Sequence, residues 1–173
     1  MAYRPERKLR REFVCYRIAD RRFPLFSGEH AGRVGGRWNP QGRPAIYAST
    51  TYSGAMLEKL AQLGTTRIPR HQVSIAITIP AGLTVQAYQA DELSEGWNAS
   101  DYEVSQAVGE KWLIAQKAVA LVVPSVLFPV ERNVVLNPWH SQIARVSVGE
   151  PLEIRWDERL FATRPRRPHH PRR

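Results

Sequence analysis

Short apolar runs outnumber helical segments in this chain, and the two kinds do not alternate. That pattern most constrains what it can fold into. Val73, Ile75, Ile77 and Ile79 alternate with Ser74, Ala76 and Thr78, the period of a half-buried strand. Phe13 to Ala19, Ala45 to Ala48, Leu83 to Tyr88, Asn133 to Leu136 and Leu152 to Trp156 read as further strands. Ala118 to Val123 is a continuous apolar run stopped by Pro124, as in a strand buried on both faces. Two segments read as helices. One covers about Gly54 to Leu63, with Ser53 as its cap, Gly64 as its stop and Met56, Leu60 and Leu63 as its core stripe. The other covers Asp101 to Lys117, with Val104, Val108, Trp112 and Ala115 near helical spacing and Gly109 as a blemish. Ser27 to Arg43 and Asp91 to Ser100 read as polar loops. Irregular order favours an α+β fold over a doubly wound sheet.

The 173 residues suit a single domain with one real core, at 43% hydrophobic content. A charged segment, residues 1–12, precedes the domain, 13–163, and a basic tail, 164–173, follows it. The tail has five arginines, no acid and no apolar residue, a composition that predicts disorder. Those arginines carry more than half of the net charge of +9. The lone cysteine, Cys15, lies in an apolar run and reads as a buried small hydrophobe. With no apolar leader and no membrane-length segment visible, the expected location is the cytoplasm.

The stretch Gly35-Gly36-Arg37-Trp38-Asn39-Pro40, with Tyr47 soon after, holds the parts needed to grip a nucleotide. Glycines let a ligand approach the main chain, arginine forks a phosphate, and Trp38 and Tyr47 offer flat faces to a ring. A Gly-rich turn over a core tryptophan explains the same residues. Arg17 either lies on an exposed strand face or points into a cleft as an anion ligand. Glu58 has the small neighbours Gly54, Ala55 and Ala61, which suits either an accessible ligand carboxylate or a solvated one. Ser125 follows a buried strand, where serine commonly makes a turn. Asn133 opens the segment Asn133-Val134-Val135-Leu136-Asn137-Pro138-Trp139-His140, either a hydrogen-bonded turn or a pocket floor. Phosphate-loop, dinucleotide-fingerprint, zinc-ligand and serine-elbow motifs are missing, so neither a metal enzyme nor a serine hydrolase is expected.

Taken in order, these residues resemble the RES domain family. The family's arginine, glutamate and serine match Arg17 in Tyr16-Arg17-Ile18, Glu58 in Leu57-Glu58-Lys59-Leu60, and Ser125 after Val123-Pro124. The Gly35 to Ser49 stretch and the Asn133 to His140 stretch resemble its two most recognisable motifs. His140 matches the family's C-terminal histidine position, beside a Trp139 that departs from the pattern. The resemblance spans about Phe13 to Trp156.

It implies an ADP-ribosyltransferase-like fold, mixed and antiparallel sheets around a central cleft with flanking helices. It also implies a toxin of a bacterial toxin–antitoxin pair that consumes NAD without a metal. The implied partner is an Xre-like, helix-turn-helix antitoxin covering the site. Cleavage of the nicotinamide–ribose bond could deliver ADP-ribose to water, to phosphate or to a protein side chain. In that light Arg17, Tyr47, Glu58 and Ser125 are the catalytic candidates, and Arg37, Trp38, Asn39 and Asn133 the NAD-binding ones. Glu58 would hold the ribose, Arg17 and Arg37 the pyrophosphate, and Tyr47 or Trp38 the nicotinamide ring. Arg17, Arg37, Tyr47, Glu58 and Ser125 should then converge on one cleft. Two other readings remain: a basic nucleic-acid-binding module, which predicts an exposed basic and aromatic surface, and an inactive interaction domain.

Overall fold

The computed structural model describes residues 6–64 and 67–161. The tail from Arg164 and its expected disorder lie outside the described residues. The strands are β1 (Arg7–Lys8), β2 (Phe13–Asp20), β3 (Ile46–Ser49), β4 (Gln72–Ile79), β5 (Thr84–Ala87), β6 (Ala120–Pro124), β7 (Arg132–Leu136), β8 (Ser147–Val148) and β9 (Leu152–Glu153). The helices are α1 (Glu29–Val34), α2 (Tyr52–Leu63) and α3 (Glu103–Ala115). Among the described residues the strands join in the order β1-β5-β6-β7-β3-β2-β4-β8, with β9 also on β4. Among the described residues only the β5–β6 pair is parallel, and α3 lies in its crossover. The fold is therefore α+β with a mostly antiparallel sheet.

Alternation decides which residues face which side. Ala120, Val134 and Leu136 join Cys15, Ile46, Ile75, Ile77 and Ile79 in one core cluster. Leu121, Val123 and Val135, from the same two central strands, join Trp38, Trp97, Val108 and Trp112 on the other face. β6 and β7 are thus apolar on both sides, which is why the run from Ala118 shows no period.

Several elements differ from the sequence reading. Arg7–Lys8 in the charged N-terminal segment is an edge strand paired with Val85 and Thr84. The polar loop from Ser27 contains α1, whose six residues bury none of their own and so leave no apolar stripe to read. The cap of α2 is Thr51, not Ser53: its hydroxyl accepts the Gly54 N–H at 3.0 Å. Leu63 is 41% exposed, so α2 does not turn the expected stripe to the core. It buries Gly54 and Ala55 instead, and Glu58, Lys59 and Gln62 line a cavity.

Gly109 has a specific reason. A Cβ there would lie 1.9 Å from the carbonyl oxygen of Trp38. The missing side chain lets α3 press directly on the backbone of the Gly-rich turn. In an exposed helix, Gly→Ala stabilises by about 1 kcal/mol. Here the clash is with backbone, which cannot rotate away, and overpacking costs about 1–3 kcal/mol or more. Gly109→Ala should therefore lower the urea midpoint of unfolding. An unchanged or raised midpoint would show that α3 does not pack this closely.

Candidate active site

The sheet opens between β2 and β3, which share a single registered pair, Tyr16 with Ser49. Arg17 spans the opening. Its Nε donates to the Leu25 carbonyl at 3.0 Å, Nη1 to the Tyr47 carbonyl at 2.9 Å and Nη2 to the Ser27 carbonyl at 3.5 Å. Among the described residues it has no carboxylate partner. Loss of water pulls its proton affinity down to about 10, still well above neutrality, so the guanidinium stays charged.

A cavity of about 560 Å³ fills the opening, within the range of small-molecule sites. Arg17, Arg37, Tyr47, Glu58 and Asn133 all line it. Glu58 comes from α2 and is oriented through one oxygen. Ser125 Oγ donates to Glu58 Oε1 at 2.8 Å and Asn133 Nδ2 donates to the same atom at 2.7 Å. Asn133 is fixed in turn, because its Oδ1 accepts the Ser49 hydroxyl at 2.8 Å. Ser49 and Asn133 sit directly opposite on β3 and β7. Glu58 Oε2 accepts no hydrogen bond from a described residue. The result is a carboxylate anchored through Oε1 on the wall of the cavity. Ser125, 3% exposed, stands behind Glu58 rather than on the cavity wall. It also accepts the Phe128 N–H, tying the carboxylate to the loop after β6.

Arg37 lies at another part of the cavity. Its Nη1 donates to the carbonyls of Ala99 at 2.8 Å and Trp97 at 3.3 Å, and its guanidinium stacks 4.4 Å from the Tyr102 ring centroid. Tyr102 has a left-handed backbone, φ 66°, just before α3 and lines the same cavity.

Trp38 and Asn39, expected among the ligand-binding residues, do not line the cavity. Trp38 is 2% exposed and stacks on Trp97 with centroids 6.3 Å apart, so no face is free for a nicotinamide ring. Asn39 is fully buried, its amide donating to the Ala31 and Arg43 carbonyls at 2.8 and 2.7 Å. Both hold the loop in shape. The Tyr47 hydroxyl belongs to the same scaffold: it donates to Asn39 Oδ1 at 2.6 Å and accepts the Trp38 N–H at 2.9 Å. Burial pushes its proton affinity up, so it is no acid near neutrality. Gly36 makes room for this, since a Cβ there would meet Tyr47 Oη at 2.7 Å.

The match to the RES domain covers residues 14–157, most of the chain. The chain belongs to the RES domain family. It is 31% identical over 151 residues to a protein of Photorhabdus laumondii named "Toxin Res", covering 85% of this chain and 96% of the relative. It is 36% identical over 139 residues to a "Toxin Res" of Pseudomonas putida, covering 78% of this chain and 92% of that protein. A "Prs ADP-ribosylating toxin" of Sphingobium is 31% identical over 138 residues, covering 78% and 86%. A solved structure described as the M. tuberculosis MbcT-MbcA toxin-antitoxin complex shares the fold, with TM-score 0.69, 21% identity and 89% of each chain covered.

Within this RES domain His140 does not line the cavity. It is 5% exposed, its Nδ1 accepts the Gln142 N–H at 3.1 Å, and burial lowers its proton affinity. With Asn137, which donates to the Leu113 carbonyl at 3.2 Å, it secures the end of α3. Cys15 is fully buried and its thiol is pushed up to about 12, as fits a core residue. Sequence reasoning missed Tyr16, His30, Lys59 and Tyr102, which all line the cavity. Lys59 adjoins Glu58 in sequence, but helix neighbours point about 100° apart, so spacing gave no reason to place both at one cavity; Tyr102 gave no signal, because its position follows from a backbone turn.

Tyr47→Phe should cost stability rather than chemistry. It leaves the Trp38 N–H and Asn39 Oδ1 unpaired, and a buried unpaired group costs about 1–3 kcal/mol. Denaturant unfolding should show that loss while the folded variant keeps ligand affinity within a few-fold. Full stability with lost turnover would move the hydroxyl into the reaction.

Proposed function

We propose that this protein is the toxin of a toxin–antitoxin pair and cleaves the nicotinamide–ribose bond of NAD. The observation that carries this reading is the Glu58 carboxylate, fixed through Oε1 by Ser125 and Asn133 and open at Oε2 on the wall of a cavity that also holds Arg17 and Arg37. Relatives named as toxins, one of them ADP-ribosylating, support it.

The chemistry follows from charge. NAD carries positive charge on the nicotinamide ring. As the N-glycosidic bond breaks, its electron pair returns to the ring nitrogen and the charge moves to the ribose. A carboxylate beside the ribose stabilises that oxocarbenium-like state and accepts a hydrogen bond from a ribose hydroxyl. Nicotinamide leaves neutral, so no acid is required to protonate it. The Arg17 and Arg37 cations face the phosphates. The acceptor then bonds to the anomeric carbon through an oxygen, phosphate as its anion, or water with release of one proton to solvent. Transfer of ADP-ribose to a protein is the second reading, and the name of the Sphingobium relative is what favours it. NAD is the substrate, and the described residues use no metal in this scheme.

The cations line a concave cavity instead of an exposed stripe, which favours a small anion over a nucleic-acid strand. Among the described residues no helix is long and apolar enough to cross a membrane, and we place the action in the cytoplasm, where NAD is available. An Xre-like antitoxin is the partner we infer. Val34 and Leu127, exposed and on the cavity's lip, are where it would cover the entrance.

Glu58→Gln keeps the shape and removes the charge. Loss of one preorganised electrostatic contact costs on the order of 100-fold in kcat, with little change in KM. Purified protein should release nicotinamide from NAD. Products formed with and without phosphate, and with added protein, identify the acceptor. Expression without an antitoxin should arrest growth and deplete NAD, and Glu58→Gln should relieve both. Arrest with undiminished NAD, or a Glu58→Gln enzyme of normal kcat, would overturn the reading.

A further inference from the structure

Lys59 lines the cavity beside Glu58, yet the chemistry above leaves it without a task. Successive helix residues point about 100° apart. Glu58 therefore turns to Asn133 and Ser125, while Lys59 turns toward β2. The charges it feels there are those of Arg17 and Asp20. Asp20 is already engaged, its two carboxylate oxygens accepting from Arg22 at 2.7 and 3.0 Å. Arg17 bonds backbone carbonyls only. Among the described residues Lys59 forms no hydrogen bond and no ion pair.

Lys59 and Arg17 thus line one cavity, and the Asp20 carboxylate whose charge also reaches Lys59 is held by Arg22. Burial first, and then the Arg17 charge, hold the Lys59 ammonium below the usual lysine range. Like charges brought together out of water destabilise a fold unless an anion joins them. The two differ in freedom. Arg17 is stapled to the backbone, whereas Lys59 is a mobile point charge on a flexible stem, suited to follow a ligand.

We propose that Lys59 and Arg17 together grip the diphosphate of the nucleotide, with Lys59 the ligand-following half of the clamp. The proposal rests on the nucleotide reading of the site. It also gives α2 two functions one residue apart: Glu58 faces the ribose and Lys59 the adjoining phosphate.

ADP-ribose carries the diphosphate and cannot lose nicotinamide, so its binding separates recognition from turnover. Titration calorimetry of ADP-ribose, nicotinamide and inorganic phosphate with wild-type, Lys59→Met and Lys59→Arg proteins, each checked by circular dichroism, provides the test. A charge-assisted contact corresponds to at least about tenfold in affinity. Lys59→Met should weaken ADP-ribose by at least that factor, Lys59→Arg should restore it to within a few-fold, and nicotinamide should bind all three alike. A packing role for the lysine stem would be preserved by methionine. Equal ADP-ribose affinity in folded Lys59→Met would overturn the clamp while leaving the nucleotide reading intact. An effect on inorganic phosphate alone would also overturn it, placing Lys59 on a separate anion. If wild-type protein binds no ADP-ribose, both the clamp and the nucleotide reading fall.

Discussion

A half-buried guanidinium bridges the gap on which the site depends. Where the β2–β3 ladder stops after one registered pair, three backbone carbonyls, of Leu25, Ser27 and Tyr47, are left facing the break, and Arg17 supplies donors to all of them. Water could satisfy such carbonyls, but it would bring no charge. The arginine does both: it closes the backbone's hydrogen bonds and leaves a fixed positive charge at the rim of the cavity. Desolvation disfavours that charge without neutralising it near pH 7. The cation is tolerated because several carbonyl dipoles point at it.

The same cavity holds an equally fixed anion. Three strand-borne or strand-end residues, Ser49, Asn133 and Ser125, form a chain of hydrogen bonds that ends on one oxygen of Glu58. Such a network is costly if half satisfied and rigid when complete. In the proposed reaction that rigidity would count, since a dipole or charge already in place need not reorganise as charge develops. The Gly-rich turn combines features of both readings its composition allowed, a turn over a core tryptophan and a lining for a cavity. Trp38 and Asn39 are interior struts, the Tyr47 hydroxyl ties them together while its ring lies along the cavity, and Arg37 also lines the cavity, steadied by Tyr102.

Strands β2 and β4 were legible because apolar and polar residues alternate in them, and β6 because a continuous apolar run ended at proline. α3 was legible from the spacing of Val108 and Trp112. Short elements were not. β1 and β8 have two residues each and exist only through pairing with a neighbour, and α1 buries nothing of its own. Within the site, residue type pointed to Arg17, Arg37 and Glu58, but type does not tell a buried strut from a ligand. That distinction depends on which face of the turn α3 covers, and the covering is possible only because residue 109 is glycine. The orientation of Asn133 by Ser49 likewise depends on strand register, which sequence spacing does not contain.

Co-crystallisation with a carbocyclic NAD, in which the ribose ring oxygen is replaced by carbon and the bond to nicotinamide survives, tests the central claim most directly. The account predicts the nicotinamide ribose against the free oxygen of Glu58, within hydrogen-bond distance of about 3 Å, with the diphosphate toward Arg17. A dinucleotide bound outside this cavity, or one inside it with the ribose turned away from Glu58, would contradict the account.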